Sequence, residues 1–273
     1  MTSPTFPHFC SLLLLLLPLL PTVFSFTDDD CLRLEFPVLV EGKSPASWPS
    51  RSGEFALGFH PVPGSQNLLL AVWFNKTEDR TIVWSANGNK LAPPSSQLKL
   101  TSNGEFVLDD HLGKTLWKPK TNGSKARCAA MLDNGNFVIL DENHSPIWES
   151  FKEPTDTILP GQILRMPSTL RAQRSETDYA NGKFQLRLQE DGNLVLYLVS
   201  LPDEEVLGPY WAAGTMGWQS QLVFDKAGYI YIEDVNKSTT YNLTKAVQNS
   251  NPMFYRARID YDGVFKLDRK SVV

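Results

Sequence analysis

The chain has 273 residues, of which 42% are hydrophobic and 21% charged, and a formal net charge of −4. That length is enough for one large or two ordinary cores, and the acidic balance argues against nucleic acid or an anionic membrane surface as a partner. The 3 cysteines and 4 histidines form no metal-style cluster, so neither a metal nor another cofactor is implied.

From the amino terminus, Leu12 to Leu20 form an apolar run interrupted by Pro18 and too short to span a bilayer. Small residues follow at Val23-Phe24-Ser25, and the pattern reads as a signal peptide, residues 1–25, cleaved after Ser25 although no Lys or Arg precedes the run. No further membrane span is expected, and the mature chain is expected to be secreted or held at the cell surface. Five sequons, at Asn75, Asn122, Asn143, Asn236 and Asn242, are usable only on that route, and Pro146 makes Asn143 a poorer acceptor. Cys10 leaves with the leader. Cys31 and Cys128 remain, either as a disulfide closing a long loop and worth about 4 kcal/mol, or as two separate buried thiols.

Beyond the leader, no stretch sustains helical periodicity, while Gly, Asn, Asp and Pro bound short alternating runs. Strands are predicted at Leu68 to Phe74, Thr81 to Trp84, Gln97 to Leu100, Phe184 to Leu188 and Gln221 to Phe224, which makes the chain all-β. A turn-plus-strand unit recurs six times, centred on Gly53, Gly104, Gly135, Gly192, Gly228 and Gly263, each before alternating apolar residues. Trp84, Trp117, Trp148 and Trp211 each follow such a strand. One unit cannot bury both of its faces, so the six are expected to pack three and three, divided near Pro154 to Gly161.

The fourth unit differs from the rest. Gln189-Glu-Asp-Gly-Asn-Leu-Val-Leu-Tyr197 places Leu194, Leu196 and Leu198 on one face and Gln189, Asp191, Asn193, Val195 and Tyr197 on the other. An amide, a carboxylate, a second amide, an aliphatic surface and a phenol on one row can meet vicinal hydroxyls and an apolar ring face, which suits a sugar. An ordinary exposed strand face accounts for the same residues.

This spacing resembles the sugar motif of the bulb-type, mannose-binding lectin module, Gln-x-Asp-x-Asn-x-Val-x-Tyr, at all five positions. The Gly135 unit keeps Asn136 and Val138, the Gly104 unit keeps Val107, and the Gly263 unit keeps the carboxylate as Asp262, so one competent site is expected. Trp148 to Gly161, with Ser52 to Phe59 and Thr81 to Asn87 upstream, is similar to the plant S-locus glycoprotein and S-domain receptor kinase group. The resemblance implies two tandem β-prism domains of bulb-lectin type with pseudo-threefold repeats, residues 26–155 and 156–273. It implies core positions for Trp84, Trp117, Trp148 and Trp211, and mannose or mannose-containing glycans as the ligand. Asp191 and Asn193 would bond O2 of the sugar, Gln189 O3 and Tyr197 O4, with Val195 against the ring.

Receptors of this group continue into Cys-rich modules, a membrane helix and a kinase domain, whereas these residues stop within or just after the sixth unit and carry no kinase pattern. The expectation is a truncated, non-enzymatic lectin ectodomain. The alternative is a protein-binding or dimerising ectodomain, with another S-domain ectodomain as partner and the sugar motif a relic.

Overall fold

In the computed structural model, residues 31, 38–39, 47–217, 219–236, 239–244 and 253–272 are described. The expected leader, residues 1–25, lies outside them. The first half carries β1 (Val38–Leu39), β2 (Ser47–Pro49), β3 (Phe55–Pro61), β4 (Leu68–Phe74), β5 (Ile82–Ser85) and β6 (Gln97–Leu100). It continues with β7 (Phe106–Asp109), β8 (Thr115–Trp117), β9 (Cys128–Met131), β10 (Phe137–Leu140) and β11 (Pro146–Glu149). After a 3₁₀ turn, Ser150–Lys152, come β12 (Thr157–Ile158), β13 (Ile163–Arg165), β14 (Ser168–Gln173), β15 (Asn181–Leu188) and β16 (Leu194–Val199). The last are β17 (Val206–Ala212), β18 (Ser220–Phe224), β19 (Ile230–Asp234), β20 (Thr239–Asn242), β21 (Met253–Ile259) and β22 (Phe265–Ser271). The all-β expectation holds, and the five predicted strands lie where the alternation placed them, to within a few residues at their ends.

Among the described residues all pairing is antiparallel. The strands form six sheets, ordered β2-β3-β4-β5, β1-β6-β7-β8, β11-β10-β9, β14-β15-β16-β17, β13-β18-β19-β20 and β12-β21-β22. Apolar residues at alternate positions turn inward from each sheet. The first three sheets enclose one core, including Leu57, Val72, Phe106, Leu108, Phe137 and Ile139. The other three enclose a second, including Leu170, Leu186, Leu194, Leu196, Phe224 and Ile259.

The first core closes on three indoles. Trp84, Trp117 and Trp148 pair with Val72, Leu108 and Ile139, so the same ladder position in three sheets delivers a Trp to one place. Their ring centroids lie 5.6 to 5.9 Å apart in edge-on contact, a geometry that adds to the area they bury. The Gly53 turn departs from the repeat. It joins β2 to β3, with the Trp-bearing strand two strands further on, whereas Gly104 and Gly135 lead into strands that pair directly with β8 and β11.

Trp211 corrects an expectation. It pairs with Leu196 as the other three pair with their inward residues, yet it is 40% exposed, and Tyr241 at the matching position opposite Ile232 is 44% exposed. Among the described residues β22 has a partner on one side only, so no strand delivers a third ring opposite Leu267. Among the described residues nothing covers that end of the second core, and Trp211 is exposed there. Leu198, expected to join Leu194 and Leu196 in the core, is only half-buried, beyond a register shift against β17.

Trp148 to Ile158 spans the two cores, with Trp148 plugged into the first and Ile158 into the second. Phe254 of β21 reaches back, its ring 4.8 Å from Phe74 and nearly parallel to it. A disulfide joins Cys31 to Cys128, with Cα atoms 5.6 Å apart across a separation of 97 residues.

Candidate functional site

Gln189 to Asn193 form the hairpin turn between β15 and β16. Gln189 N donates to Asn193 O at 2.9 Å and Gly192 N to Gln189 O at 3.0 Å, with Gly192 at φ 84°. A side chain at Gly192 would be strained by that angle and would also meet Gly217 and Ser220. Asp191 Oδ1 accepts from Asn193 N at 3.0 Å, an Asx turn. Asn193 Oδ1 accepts from Gly214 N at 3.0 Å, and Thr215 Oγ1 donates to Gly192 O at 2.9 Å, so the loop after β17 clasps the turn.

The turn chemistry therefore claims one oxygen of Asp191 and the oxygen of Asn193. Among the described residues nothing takes Asp191 Oδ2 or Asn193 Nδ2, which leaves an acceptor beside a donor, the pair a sugar hydroxyl requires. Gln189 Nε2 donates to Tyr197 Oη at 2.8 Å, tying the two ends of the row together. Arg187 Cζ stands 5.6 Å from the Tyr197 ring centroid, a cation–π contact. Gln189, Asn193 and Tyr197 are half-buried and Asp191 is exposed, but Val195 is only 3% exposed. Alternation put Val195 on the outer face and could not show that its neighbours on β15 and β17 cover it.

The other units use the same residue types for structure. Asp262 Oδ1 accepts from Val264 N at 3.0 Å, an Asx turn like that of Asp191. Asn136, the counterpart of Asn193, is 5% exposed. Its Oδ1 accepts from Ser150 Oγ at 3.2 Å and Phe151 N at 3.1 Å, and its Nδ2 donates to Glu149 Oε2 at 2.9 Å. Asn136 thus anchors the segment that leads from the first core to the second. Asn75 is half-buried and donates Nδ2 to Gly53 O at 3.1 Å, whereas Asn122, Asn143, Asn236 and Asn242 are exposed.

A second concavity, about 590 Å³, lies between the two sets of sheets and is lined by charges including Asp79, Asp156, Arg256, Arg258 and Lys270. Several of these charges are paired, with one another or with carboxylates behind the lining. Lys270 Nζ lies 2.6 Å from Asp79, Arg258 Nη2 2.9 Å from Asp260, and Arg256 Nη2 3.3 Å from Asp268. Burial alone would raise the Asp79 carboxyl, but hydrogen bonds from Lys270 and Thr81 outweigh it and hold it at about 2. Burial pushes Asp156 up despite the nearby Arg256. Arg256 Nη1 donates to Ile82 O at 2.8 Å, so this cleft works as a seam. Sequence patterning missed it because its members lie more than 170 residues apart.

Residues 81–178 match the family of D-mannose binding lectins. This segment is similar to the bulb-type lectin module. The match ends ahead of Gln189 and so rests on the segment around the Trp cluster and the bridge. Over 230 residues the chain is 44% identical to a G-type lectin S-receptor-like serine/threonine-protein kinase of Oryza sativa subsp. indica, covering 81% of this chain and 28% of that protein. A kinase of the same description from Arabidopsis thaliana is 35% identical over 207 residues, 71% of this chain and 25% of that protein. The chain thus spans about a quarter of the length of these relatives. Among solved structures, the lectin of Remusatia vivipara shares 21% identity over 43% of this chain and 91% of its own, with a TM-score of 0.32. Among the described residues, no helix is long and apolar enough to cross a membrane, and no group of three or more His, Cys, Asp or Glu could hold a metal.

Proposed function

We propose that the chain is a carbohydrate-binding ectodomain of two tandem β-prism domains, residues 26–155 and 156–273, which binds mannose-type glycans through Gln189, Asp191, Asn193, Val195 and Tyr197. The observation that carries this reading is the row itself. Asp191 and Asn193 are held by backbone contacts with one acceptor and one donor left over, beside a Gln189–Tyr197 pair that no other unit has. The kinship with lectin-bearing receptor kinases supports placement outside the cell, where the four exposed sequons would be used and the disulfide kept. No kinase chemistry is assigned to these residues.

A site with few desolvated groups binds one sugar ring weakly, with Kd about 1 mM, or about −4 kcal/mol. The test is an NMR titration of the secreted protein with methyl α-mannoside, beside Asp191→Asn, which keeps the turn acceptor Oδ1 while removing the charge. Saturable shifts at residues 189–197, weakened by the substitution, are expected. No shift at tens of millimolar sugar defeats the reading. A second reading, an ectodomain that binds protein, is favoured by one observation: β17 exposes Leu207, Tyr210 and Trp211 along a sheet edge with no pairing strand among the described residues.

A further inference from the structure

The cleft between the two sets of sheets holds more donors than its own ion pairs use. One wall comes from the first set and carries Arg80 and Lys90, both exposed and neither with an ion pair or side-chain hydrogen bond among the described residues. The other wall comes from the second set and carries Arg171 and Arg256. Arg171 Nη2 lies 2.6 Å from Glu204, while Arg256 donates through Nη1 to Ile82 O and through Nη2 to Asp268. Two donors remain. Arg171 Nη1 and Arg256 Nε are buried with no acceptor among the described residues, and the whole Arg256 side chain is only 8% exposed. A buried charged donor without an acceptor is costly, and an anion in the cleft supplies one. Few carboxylates compete for that role: Asp79 is matched to Lys270, and burial pushes the Asp156 carboxyl up, toward its neutral acid, despite the nearby Arg256. Glu176 is left as the main open negative charge.

The two walls are held at a fixed spacing. Asn181 N donates to Asn89 Oδ1 at 2.8 Å, and Arg256 Nη1 to Ile82 O at 2.8 Å. Gly88 passes so close to Tyr179 that a Cβ would collide with the Tyr179 carbonyl oxygen. A ligand entering this space meets cations already in place, so little ordering is required of the protein. The volume, about 590 Å³, is that of a small-molecule site between domains and far exceeds a single tetrahedral anion. With unused donors on both walls, the cleft suits a molecule that bears an anionic group at each end. Tyr179 and Gln173 also line it, and their hydroxyl and amide, which have no side-chain hydrogen bond among the described residues, can bond hydroxyl groups.

We propose that the cleft is a ligand site in its own right, that its ligand is a small hydroxylated dicarboxylate, and that Arg80 and Lys90 hold one carboxylate while Arg171 and Arg256 hold the other. Guanidinium and ammonium groups bond carboxylates through charge-assisted hydrogen bonds. Because the ligand touches both walls, its binding also ties the two sets of sheets together. This site is separate from the sugar motif at residues 189–197 and does not depend on it.

The experiment is a calorimetric titration of the secreted protein, at one ionic strength, with galactarate, galactonate and galactitol, which share one carbon chain and carry two, one and no carboxylates, and with inorganic sulfate. Galactarate is expected to bind about tenfold more tightly than galactonate, with no saturable binding of galactitol, and to raise the unfolding midpoint. Arg80→Gln combined with Lys90→Gln is expected to weaken galactarate binding about tenfold and to leave the ligand-free midpoint unchanged, since both side chains are exposed. Lys183→Gln combined with Lys226→Gln, exposed lysines that do not line the cleft, is expected to change galactarate binding by less than about twofold. Equal affinity for galactarate and galactonate overturns the two-walled site, and sulfate binding as tight as that of galactarate overturns the dicarboxylate class. An equal loss in the Lys183 and Lys226 variant marks a diffuse charge effect and overturns the site as well, as does the absence of saturable galactarate binding.

Discussion

At residue 192 the turn and the site make the same demand. Gly192 holds φ 84° and lies against Gly217 and Ser220, so a methyl group there is opposed by both backbone angle and packing. Gly192→Ala is expected to lower stability by about 2 kcal/mol, measured by urea unfolding, and to weaken sugar binding because Asp191 and Asn193 lose their placement. Thr215 and the Gly214 amide clasp the same turn from the loop after β17. Thr215→Val, which removes the bond to Gly192 O, is expected to cost about 1 kcal/mol in the same measurement. Asp262 and Asn136 show what the motif's residue types do without their companions: one closes a turn and the other pins the bridge. The distinguishing feature of the fourth unit is thus the set, and within it the Gln189–Tyr197 bond.

Between strands, equivalent ladder positions have unequal fates. Trp148 is 4% exposed and touches both other indoles of the first core, whereas Trp211, opposite Leu196, is 40% exposed. Trp148→Ala is expected to cost about 3–5 kcal/mol through the cavity it leaves, and Trp211→Ala under about 1 kcal/mol, since little packing is lost. Comparing their unfolding midpoints tests the point. A large loss for Trp211→Ala would show that the end of the second core is covered. The repeat was legible as Gly, alternating apolar residues and Trp. That legibility treated the four Trp as equal, because a ladder position in sequence does not reveal whether the neighbouring sheets each supply a strand that carries a facing ring.

For the molecule as a whole, stability should depend on the seam between the two sets of sheets. Asp79 is held at about 2 by hydrogen bonds from Lys270 and Thr81 against the effect of its own burial. Its folded value lies below its ordinary value, so its contribution is present above about pH 4 and is lost as pH falls through about 2. Thermal melts between pH 5 and pH 2 are expected to show a decline that Asp79→Asn makes shallower. Its size is modest because the Asp79 side chain is half exposed and solvent screens the pair. The disulfide acts over a longer span: Cys128→Ser is expected to remove about 4 kcal/mol, as closure of a loop of 97 residues implies, read from chemical unfolding of the oxidised protein.

The amino-acid sequence by itself determined the all-β class, the positions of five of the strands, the recurrence of the units and the singular character of residues 189–197. These depend on local period and turn chemistry, which neighbouring residues carry. Only the tertiary structure decided that Val195 is covered, that Trp211 is exposed, that Asn136 anchors the bridge, and that Asp79 and Lys270 meet across the seam. Each of these depends on which distant strand faces which. That is a property of packing between sheets, and the alternation along one strand does not contain it.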